Sequence, residues 1–415
     1  MRLSLATASC AVVISALLAA CSNSPQASQL PTTSVGSPMV HSGGRPHYLH
    51  PNGRIGPIGG MRLMELQAAG KLPGPVPASM MQKVLAAVRS HHRHPDFHRF
   101  AQKAKGVALW AVNTNNDYLI GQSKAQKTVS AINLGADNCD YPQSVHVDHS
   151  ANVLVGCEYN GSFSYGQVVS LSSSGTFQAG YSPGCPAPLS LCNYWYSYSF
   201  DAASNGSDIF IAMPFTEEET CNPSCTYTYG SGFEWWPAGS PSASPTFINV
   251  GESCAPVCDT YYMDLDSSGN IWFSYYGCQT SCGGGLGEVT NPTTNPTFQS
   301  IIQPGTFECP GGVYISNSGN TLNYVDECQR EIFQYAMPVS VSGLPSNTLG
   351  PTPQNAFYAG EPVTMGFNST DTKVAVGDAA GWVDVGTVAK NQWKAIPSIN
   401  FGSYVPGAAF TPSDK

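Results

Sequence analysis

Apolar and polar residues alternate in short stretches of the chain, and three of these stretches align with one another: residues 142–155, 263–273 and 310–324. Each stretch begins with an alternating pattern, continues through a tight turn of Asp, Ser, Gly or Asn, and ends in a second alternating pattern. Such a unit is typical of two antiparallel β-strands joined by a short turn. Looser copies of the unit occupy residues 195–211 and 362–376.

The spacing of these copies predicts the fold class. A second strand without a first is predicted at residues 107–113, so six second strands follow one another at steps of 44 to 62 residues. Their first apolar residues are Leu109, Val153, Ile209, Ile271, Thr321 and Val374. The intervals have room for two more strands, for example residues 167–172 and 176–181. Six units of four strands predict an all-β, six-bladed β-propeller over residues 106–415. A doubled β-sandwich is the alternative.

The C-terminal residues predict how the ring closes. Pro142 and Pro310 each lie ten residues before the Asn that opens the second strand of their unit. The position ten residues after Pro406 lies beyond Lys415, so the unit that begins at Pro406 has no second strand of its own. The strand around Phe410 therefore lacks a second strand, and the strand at Leu109 lacks a first. We expect these two strands to pair and complete the first blade, because an open ring leaves exposed sheet edges.

Two short motifs carry a resemblance to known propellers. The turn Asp266–Phe273 (DSSGNIWF) and the stretch LWAVN at residues 109–113 resemble the six-bladed NHL, SMP-30 and streptogramin-lyase group. The resemblance covers the architecture of the body but only short turns in sequence, so it specifies function weakly. The streptogramin lyases imply a catalytic His and a magnesium site, and SMP-30 implies a calcium-type site of Glu, Asn and Asp. The chain matches neither set residue by residue.

The N-terminal residues predict export. Residues 1–20 carry one positive charge and then an apolar run that ends in small residues, which indicates a signal peptide. The signal closes with Leu18-Ala-Ala-Cys21, which resembles the bacterial lipobox, in which the cysteine receives lipid. A plain cleaved signal peptide is the alternative. Ser22 after the cysteine favours the outer membrane. We expect a lipoprotein of the bacterial cell envelope, attached to the membrane through lipid on Cys21 and facing the periplasm or the outside.

Charge divides the exported chain at Gly106. Residues 21–59 are rich in Ser, Pro, Gly and Thr and predict a flexible tether. Apolar spacing in residues 60–105 predicts short amphipathic helices. Residues 22–105 carry a net charge of +8, and residues 106–415 carry a net charge of −18. The basic segment either lies on anionic lipid head groups or packs on the acidic body as a brace. An acidic body does not suit nucleic acid as a partner.

The cysteines predict disulfides on one face of the propeller. Of fourteen cysteines, Cys10 lies in the signal and Cys21 takes the lipid, and an oxidising compartment favours bridges among the other twelve. These twelve precede a first strand or follow a second strand, and such loops emerge at one face, here called the disulfide face. The expected pairs are Cys139–Cys157, Cys192–Cys221, Cys185–Cys225, Cys258–Cys278, Cys254–Cys282 and Cys309–Cys328. Local bridges within the three CxxxC motifs are the alternative. No His accompanies the CxxxC motifs, which argues against metal binding by their cysteines.

Aromatic residues gather in the same loops. We single out six as candidate binding residues: Tyr159, Tyr165, Tyr194, Trp195, Tyr275 and Tyr276. Aromatic side chains on ordered loops give contact area at low entropic cost, which suits a protein or glycan ligand. The alternative is ordinary packing between the blades.

Catalytic candidates near the central channel are few. His146 alternates with Val145 and Val147, so it can point away from the core, and Glu308 and Glu361 each precede a first strand near the channel mouth. Asp and Asn residues in tight turns accept hydrogen bonds from their own backbone, and these turns lie at the face opposite the disulfide face. We assign four such residues to folding: Asp148, Asp201, Asp266 and Asn368.

Composition is consistent with this architecture. Only 11% of the residues are charged, and 42 are Gly and 32 are Pro, which excludes a coiled coil or a helical array. The acidic run at residues 217–219 predicts a solvated loop tip. The sequence therefore favours a lipid-anchored binding or assembly module that needs no cofactor or metal. The alternative is a propeller-type lyase or lactone hydrolase with a divalent metal at the central channel, using His146 or the channel carboxylates.

Overall fold

A computed structural model of the protein divides the chain into two compact units, Met1–Met61 and Arg62–Lys415. The residues that the structure describes are 39–42, 45–48, 106–114, 117–148, 150–159, 166–182, 195–197, 201–221, 225–252, 257, 259–278, 282–307, 309–327, 329–350, 362–378, 383–395 and 405–411.

In the first unit, β1 (Met39–Ser42) pairs antiparallel with β2 (Arg45–Tyr48). This hairpin lies within the segment that the sequence predicts as a tether. The signal peptide, Cys21 and the helices predicted over residues 60–105 lie outside the described residues. Within the described part of the chain, no helix is long and apolar enough to cross a membrane.

The second unit contains six antiparallel sheets that form the predicted blades. Their strands are, in chain order, β3 (Leu109–Asn113), β4 (Tyr118–Gln122), β5 (Thr128–Asn133), β6 (Asp140–Val147), β7 (Val153–Tyr159), β8 (Gln167–Leu171), β9 (Phe177–Tyr181), β10 (Trp195–Ser197), β11 (Asp201–Ser204), β12 (Ile209–Cys221), β13 (Cys225–Trp236), β14 (Thr246–Glu252), β15 (Asp259–Leu265), β16 (Ile271–Cys278), β17 (Cys282–Thr290), β18 (Thr297–Phe307), β19 (Pro310–Ile315), β20 (Thr321–Asp326), β21 (Glu331–Ala336), β22 (Asn347–Leu349), β23 (Pro362–Phe367), β24 (Lys373–Asp378), β25 (Val383–Thr387), β26 (Gln392–Ala395) and β27 (Gly407–Phe410).

The pairing of these strands defines the blades. Blade 1 contains β27, β3, β4 and β5, blade 2 contains β6–β9, and blade 3 contains β10–β14. Blades 4, 5 and 6 contain β15–β18, β19–β22 and β23–β26. The protein is a six-bladed β-propeller, and the alternative of a doubled β-sandwich is wrong.

The ring closes as predicted, by a strand from each end of the body. In blade 1, Phe410 pairs with Leu109 and Ala409 pairs with Trp110. The Thr411 hydroxyl donates a hydrogen bond of 2.8 Å to the carbonyl of Val107, beyond the end of the paired strands. The C-terminal strand therefore supplies the innermost strand of the first blade.

The first strand of each blade lines the centre of the ring and contacts the first strand of the next blade. Apolar side chains fill the space between neighbouring blades, because they recur at alternate positions of the strands. Trp110 of blade 1 packs in one cluster with Val153 and Val155 of blade 2. Phe233 of blade 3 meets Phe273 of blade 4 edge to face, with ring centroids 4.8 Å apart. The core is thus divided among the blade interfaces, and it fixes the inner strands side by side.

Blade 3 departs from the prediction. Its strands β12 and β13 have 13 and 12 residues, and both β10 and β11 pair with β12. The acidic residues 217–219 lie within β12, so the prediction of a loop tip there is wrong. The hairpin register continues past these residues to Cys221, which lies opposite Cys225. A polar run indicates a loop only where no partner strand continues beside it.

Candidate functional site

The turns between the first and second strands lie at one face of the propeller, which we call the turn face. In blade 4, Asp266 accepts hydrogen bonds of 2.9 Å from the backbone and from the side-chain amide of Asn270. Asp148 holds Asn152 in the same way, at 2.7 and 3.0 Å. Asn368 accepts two backbone N–H groups of its own turn. The assignment of these three turn residues to folding is confirmed.

Asp201 is different, and its assignment to a tight turn is wrong. The turn of blade 3 lies at Asn205, whereas Asp201 begins β11 and is 6% exposed. One carboxylate oxygen accepts a hydrogen bond of 2.9 Å from the backbone of Met263 in the next blade. Burial raises the pKa of Asp201 to about 6, against the opposing effects of Ser144 and His146. Sequence spacing missed this role because the contact depends on the neighbouring blade.

The turns surround a cavity at the centre of the turn face. Its volume is about 840 Å³, within the range of roughly 300–1,000 Å³ that is common for ligand pockets. Every blade contributes to its lining, for example through Thr411, His146, Ser204, Asp264, Tyr314 and Ser369. The cavity therefore has room for a small ligand.

Three lining residues take equivalent positions in their blades. His146, Asp264 and Tyr314 each lie one residue before the last pair of the inner strand, in blades 2, 4 and 5. Sequence analysis singled out His146 alone. Asp264 and Tyr314 can be recognised from this shared register. Residues at the same position of equivalent strands point to the same face of their blades.

Asp264 is a buried carboxylate of the cavity, 7% exposed, and Asp148 of the same lining is 5% exposed. The Oδ1 of Asp264 accepts from the backbone N–H of Leu265 at 2.8 Å, and its Oδ2 accepts from that of Ile315 in the next blade at 2.7 Å. Hydrogen bonds from N–H groups to a carboxylate stabilise its charged form. The two bonds also fix the orientation of the carboxylate.

Tyr314 forms an aromatic wall of the cavity. Its ring stacks on Phe367 of blade 6, with centroids 5.1 Å apart, and its hydroxyl accepts a hydrogen bond of 3.1 Å from the Asn317 amide. Burial raises the pKa of the Tyr314 phenol well above its usual value, and the carboxylates of Asp264 and Asp371 raise it further. The phenol is therefore neutral at physiological pH, and its ring is held in place.

The disulfide face lies at the other ends of the same strands. Cys139 and Cys157 form the predicted bridge between the start of β6 and the end of β7, with 5.3 Å between their Cα atoms. Cys309 is also disulfide-bonded, and its predicted partner Cys328 lies outside the described residues. The backbone register places Cys221 opposite Cys225 and Cys278 opposite Cys282.

That register is the arrangement that local CxxxC bridges need, so both pairing schemes stay open for these cysteines. Apart from Cys139, Cys157 and Cys309, the cysteines of the predicted pairs have side chains outside the described part of the chain. Five pairings therefore stay predictions: Cys192–Cys221, Cys185–Cys225, Cys258–Cys278, Cys254–Cys282 and Cys309–Cys328.

Two of the six candidate aromatic residues are core residues. Tyr275 is fully buried, and its hydroxyl lies 2.6 Å from the hydroxyl of Ser300 within the same blade. Tyr276 is 8% exposed. Strand alternation does not decide burial here, because both faces of a blade pack against neighbouring blades. Tyr275 packs in the cluster between blades 3 and 4, which agrees with the alternative of packing, and a binding role for these two residues stays a prediction.

The other four aromatic candidates are not described in their side chains. The backbone of Tyr159 ends β7 and that of Trp195 begins β10, whereas Tyr165 and Tyr194 lie outside the described residues altogether. Glu308 and Glu361 lie outside them as well. Of the catalytic candidates, only His146 is described, and it is half-buried at the cavity wall.

The metal sites implied by the resemblance do not fit the described residues. Among them, no group of three or more His, Cys, Asp or Glu side chains lies close enough together to hold a metal ion. His146 and Asp264 share the cavity, but they do not form such a group with a third ligand from the described residues.

No family model and no curated protein matches the sequence. Solved structures are similar in fold. One is the nidogen/laminin complex, at 10% identity over 74% of this chain and 98% of that chain, with a TM-score of 0.49. A second is a putative 6-phosphogluconolactonase from Bacteroides fragilis, at 9% identity over 74% and 98%, with a TM-score of 0.43. A third is the calcium-binding protein regucalcin from Agrobacterium tumefaciens, at 13% identity over 61% and 73%, with a TM-score of 0.40. These likenesses concern the fold alone.

Proposed function

We propose that the protein is a lipid-anchored binding or assembly module of the bacterial cell envelope, in the outer membrane. In this proposal Cys21 carries the lipid, and the disulfide face contacts a protein or glycan partner. The observation that carries the proposal is the place where the polypeptide enters the ring, because Val107 joins blade 1 at the turn face and not at the disulfide face.

The polypeptide enters the ring at the turn face. Val107 lies beside Thr411, and the hydroxyl-to-carbonyl bond between them is at the end of β27 that follows Phe410. Phe410 and Thr411 line the cavity of the turn face. The segment that leads back to Cys21 therefore joins the body on the side opposite the Cys139–Cys157 bridge. Entry of the chain at the turn face supports recognition by the disulfide face.

The disulfides favour recognition because they order the loops beforehand. The Cys139–Cys157 bridge spans 18 residues, and a loop of that size is worth about 3 kcal/mol in the chain-entropy model. A loop that is already ordered loses less conformational entropy when it binds a partner. In this proposal Tyr159, Tyr165, Tyr194 and Trp195 supply the contact surface, because aromatic side chains give contact area at low entropic cost.

Site-specific photo-crosslinking in the intact envelope tests this proposal. We expect a crosslinker at Tyr165 or Trp195 to sample the disulfide face, and a crosslinker at Ser268 or Ser318 samples the turn face as a matched control. We expect a discrete protein or glycan adduct from the first pair and none of the same mass from the second. Adducts from the turn face alone, or none from either face, contradict the proposal.

Attachment has its own test. We expect Cys21→Ala to abolish fatty-acid labelling and to release the protein from the membrane fraction. If the variant still sediments with membranes and still carries lipid, the anchor is wrong.

The alternative hypothesis of a lyase or lactone hydrolase is favoured by one observation, that His146 lines the central cavity. Lactone turnover by the purified full chain that is lost both in EDTA and in His146→Ala would support it over the binding module. We expect no lactone turnover by the purified full chain, and we expect His146→Ala to leave the crosslinking unchanged.

A further inference from the structure

We propose that the turn-face cavity binds a small organic cation, of the amine or guanidinium class, between the carboxylate of Asp264 and the ring of Tyr314. This site is independent of the proposed partner surface, which is the opposite face. Its evidence is the charge of the cavity, the fixed carboxylate and the aromatic wall.

The charge of the lining is of one sign. Among the described residues that line the cavity, Asp148, Asp264 and Asp266 are acidic and none is Lys or Arg. A concave site with charges of one sign focuses the field and raises the local concentration of ions of the opposite sign. The cavity therefore repels phosphates and carboxylates and attracts cations.

The three acidic residues differ in what they offer a ligand. Asp148 and Asp266 hold their own turns, so they contribute mainly long-range attraction. Asp264 lies on an inner strand instead of in a turn, and N–H groups of two blades hold it. Because this carboxylate is fixed, an ammonium group that binds it loses little conformational entropy on the protein side. Hydrogen bonds between two charged groups are also among the strongest in proteins.

The aromatic wall favours an organic cation over a bare metal ion. Tyr314 stacks on Phe367, and Phe410 also lines the cavity. Cations near the face of an aromatic ring gain electrostatic attraction, and alkyl groups gain contact with the same surface. His146 faces the cavity from blade 2 and supplies a further polar group.

Calorimetric titration of the full-length protein with spermidine tests the proposal, and Ser268 offers a matched pair of variants. The Ser268 side chain is exposed and lines the cavity, and only its backbone N–H holds Asp266. We expect Ser268→Lys to weaken spermidine binding by about tenfold and Ser268→Glu to strengthen it by a similar factor. Asp264→Asn, which keeps an acceptor for Ile315, should weaken binding by at least about tenfold.

The control separates this site from general attraction to an acidic protein. Glu331→Gln removes one negative charge at the start of β21, outside the cavity lining, and should leave the affinity unchanged. Equal effects of Glu331→Gln and Asp264→Asn on spermidine affinity would overturn the proposal. An affinity that is the same in Ser268→Lys and Ser268→Glu would overturn it as well. Tighter binding of neutral maltotriose or of inorganic phosphate than of spermidine would also overturn it.

Discussion

Replacing Asp201 with Asn tests whether one buried carboxyl group makes the protein less stable as the pH rises. Its oxygens accept hydrogen bonds of 2.9 Å from the backbone of Ala202 and of Met263, and the residue is 6% exposed. Asparagine has nearly the same shape and keeps an amide oxygen as an acceptor, but it does not ionise. The substitution also replaces one of the two accepting oxygens by a donor, which changes stability at every pH, so the effect of the charge is isolated in the pH dependence.

The magnitude follows from the pKa. Burial raises the pKa of Asp201 from 3.8 to about 6, so between these values the folded protein holds a proton that the unfolded chain releases. Stability then falls as the pH rises, by about 1.4 kcal/mol per pH unit across the window. Below this pH window Asp201 is protonated in both the folded and the unfolded state, so it contributes no pH dependence to the stability. Above it the full cost is present, about 3 kcal/mol.

Urea unfolding of the wild type and of Asp201→Asn from about pH 4 to about pH 8 measures this effect. We expect the difference in the free energy of unfolding to shift by about 3 kcal/mol in favour of the variant as the pH rises. Asp201→Ala is the control, because it also removes the acceptor of Met263 and should lower stability by about 1–3 kcal/mol at every pH. A variant that keeps the wild-type pH slope would refute the reasoning.

Two further changes test the disulfide and the ring closure. Cys157→Ser opens the bridge to Cys139, and we expect a lower melting temperature, since the bridge is worth about 3 kcal/mol; an unchanged value under oxidising conditions would contradict that estimate. Gly407→Ala places a Cβ atom 2.8 Å from the backbone nitrogen of Val145, so we expect a loss of about 1–3 kcal/mol in thermal unfolding followed by circular dichroism. A variant as stable as the wild type would mean that β27 does not pack against blade 2.

Periodicity in the sequence predicted the ring because blades repeat. Second strands begin at or beside the predicted positions, such as Val153 and Ile271, and the pairing of Phe410 with Leu109 follows from two incomplete units. The bridge Cys139–Cys157 was predicted for the same reason, since equivalent loops emerge at one face. Local pattern and strand order suffice for such features.

Features that depend on contacts between blades were not predicted. Asp201 begins β11 opposite Ala212, and its carboxylate accepts from Met263 of the next blade, 62 residues away. Tyr275 is buried because a blade packs on both faces, which alternation within one strand does not reveal. The cavity at Asp264 and Tyr314 forms only when six inner strands meet. A single unit of the repeat contains none of these relations.

Closure by β27 also has a consequence for biosynthesis. The two residues joined by the bond between Thr411 and Val107 are 304 positions apart, so β3 is translated long before its inner neighbour exists. Until then, the edge of β3 offers unpaired backbone groups to any other strand nearby. A nascent chain is thus exposed to exchange of β27 with a second molecule, and a ribosome that stalls in blade 6 leaves a product prone to aggregation.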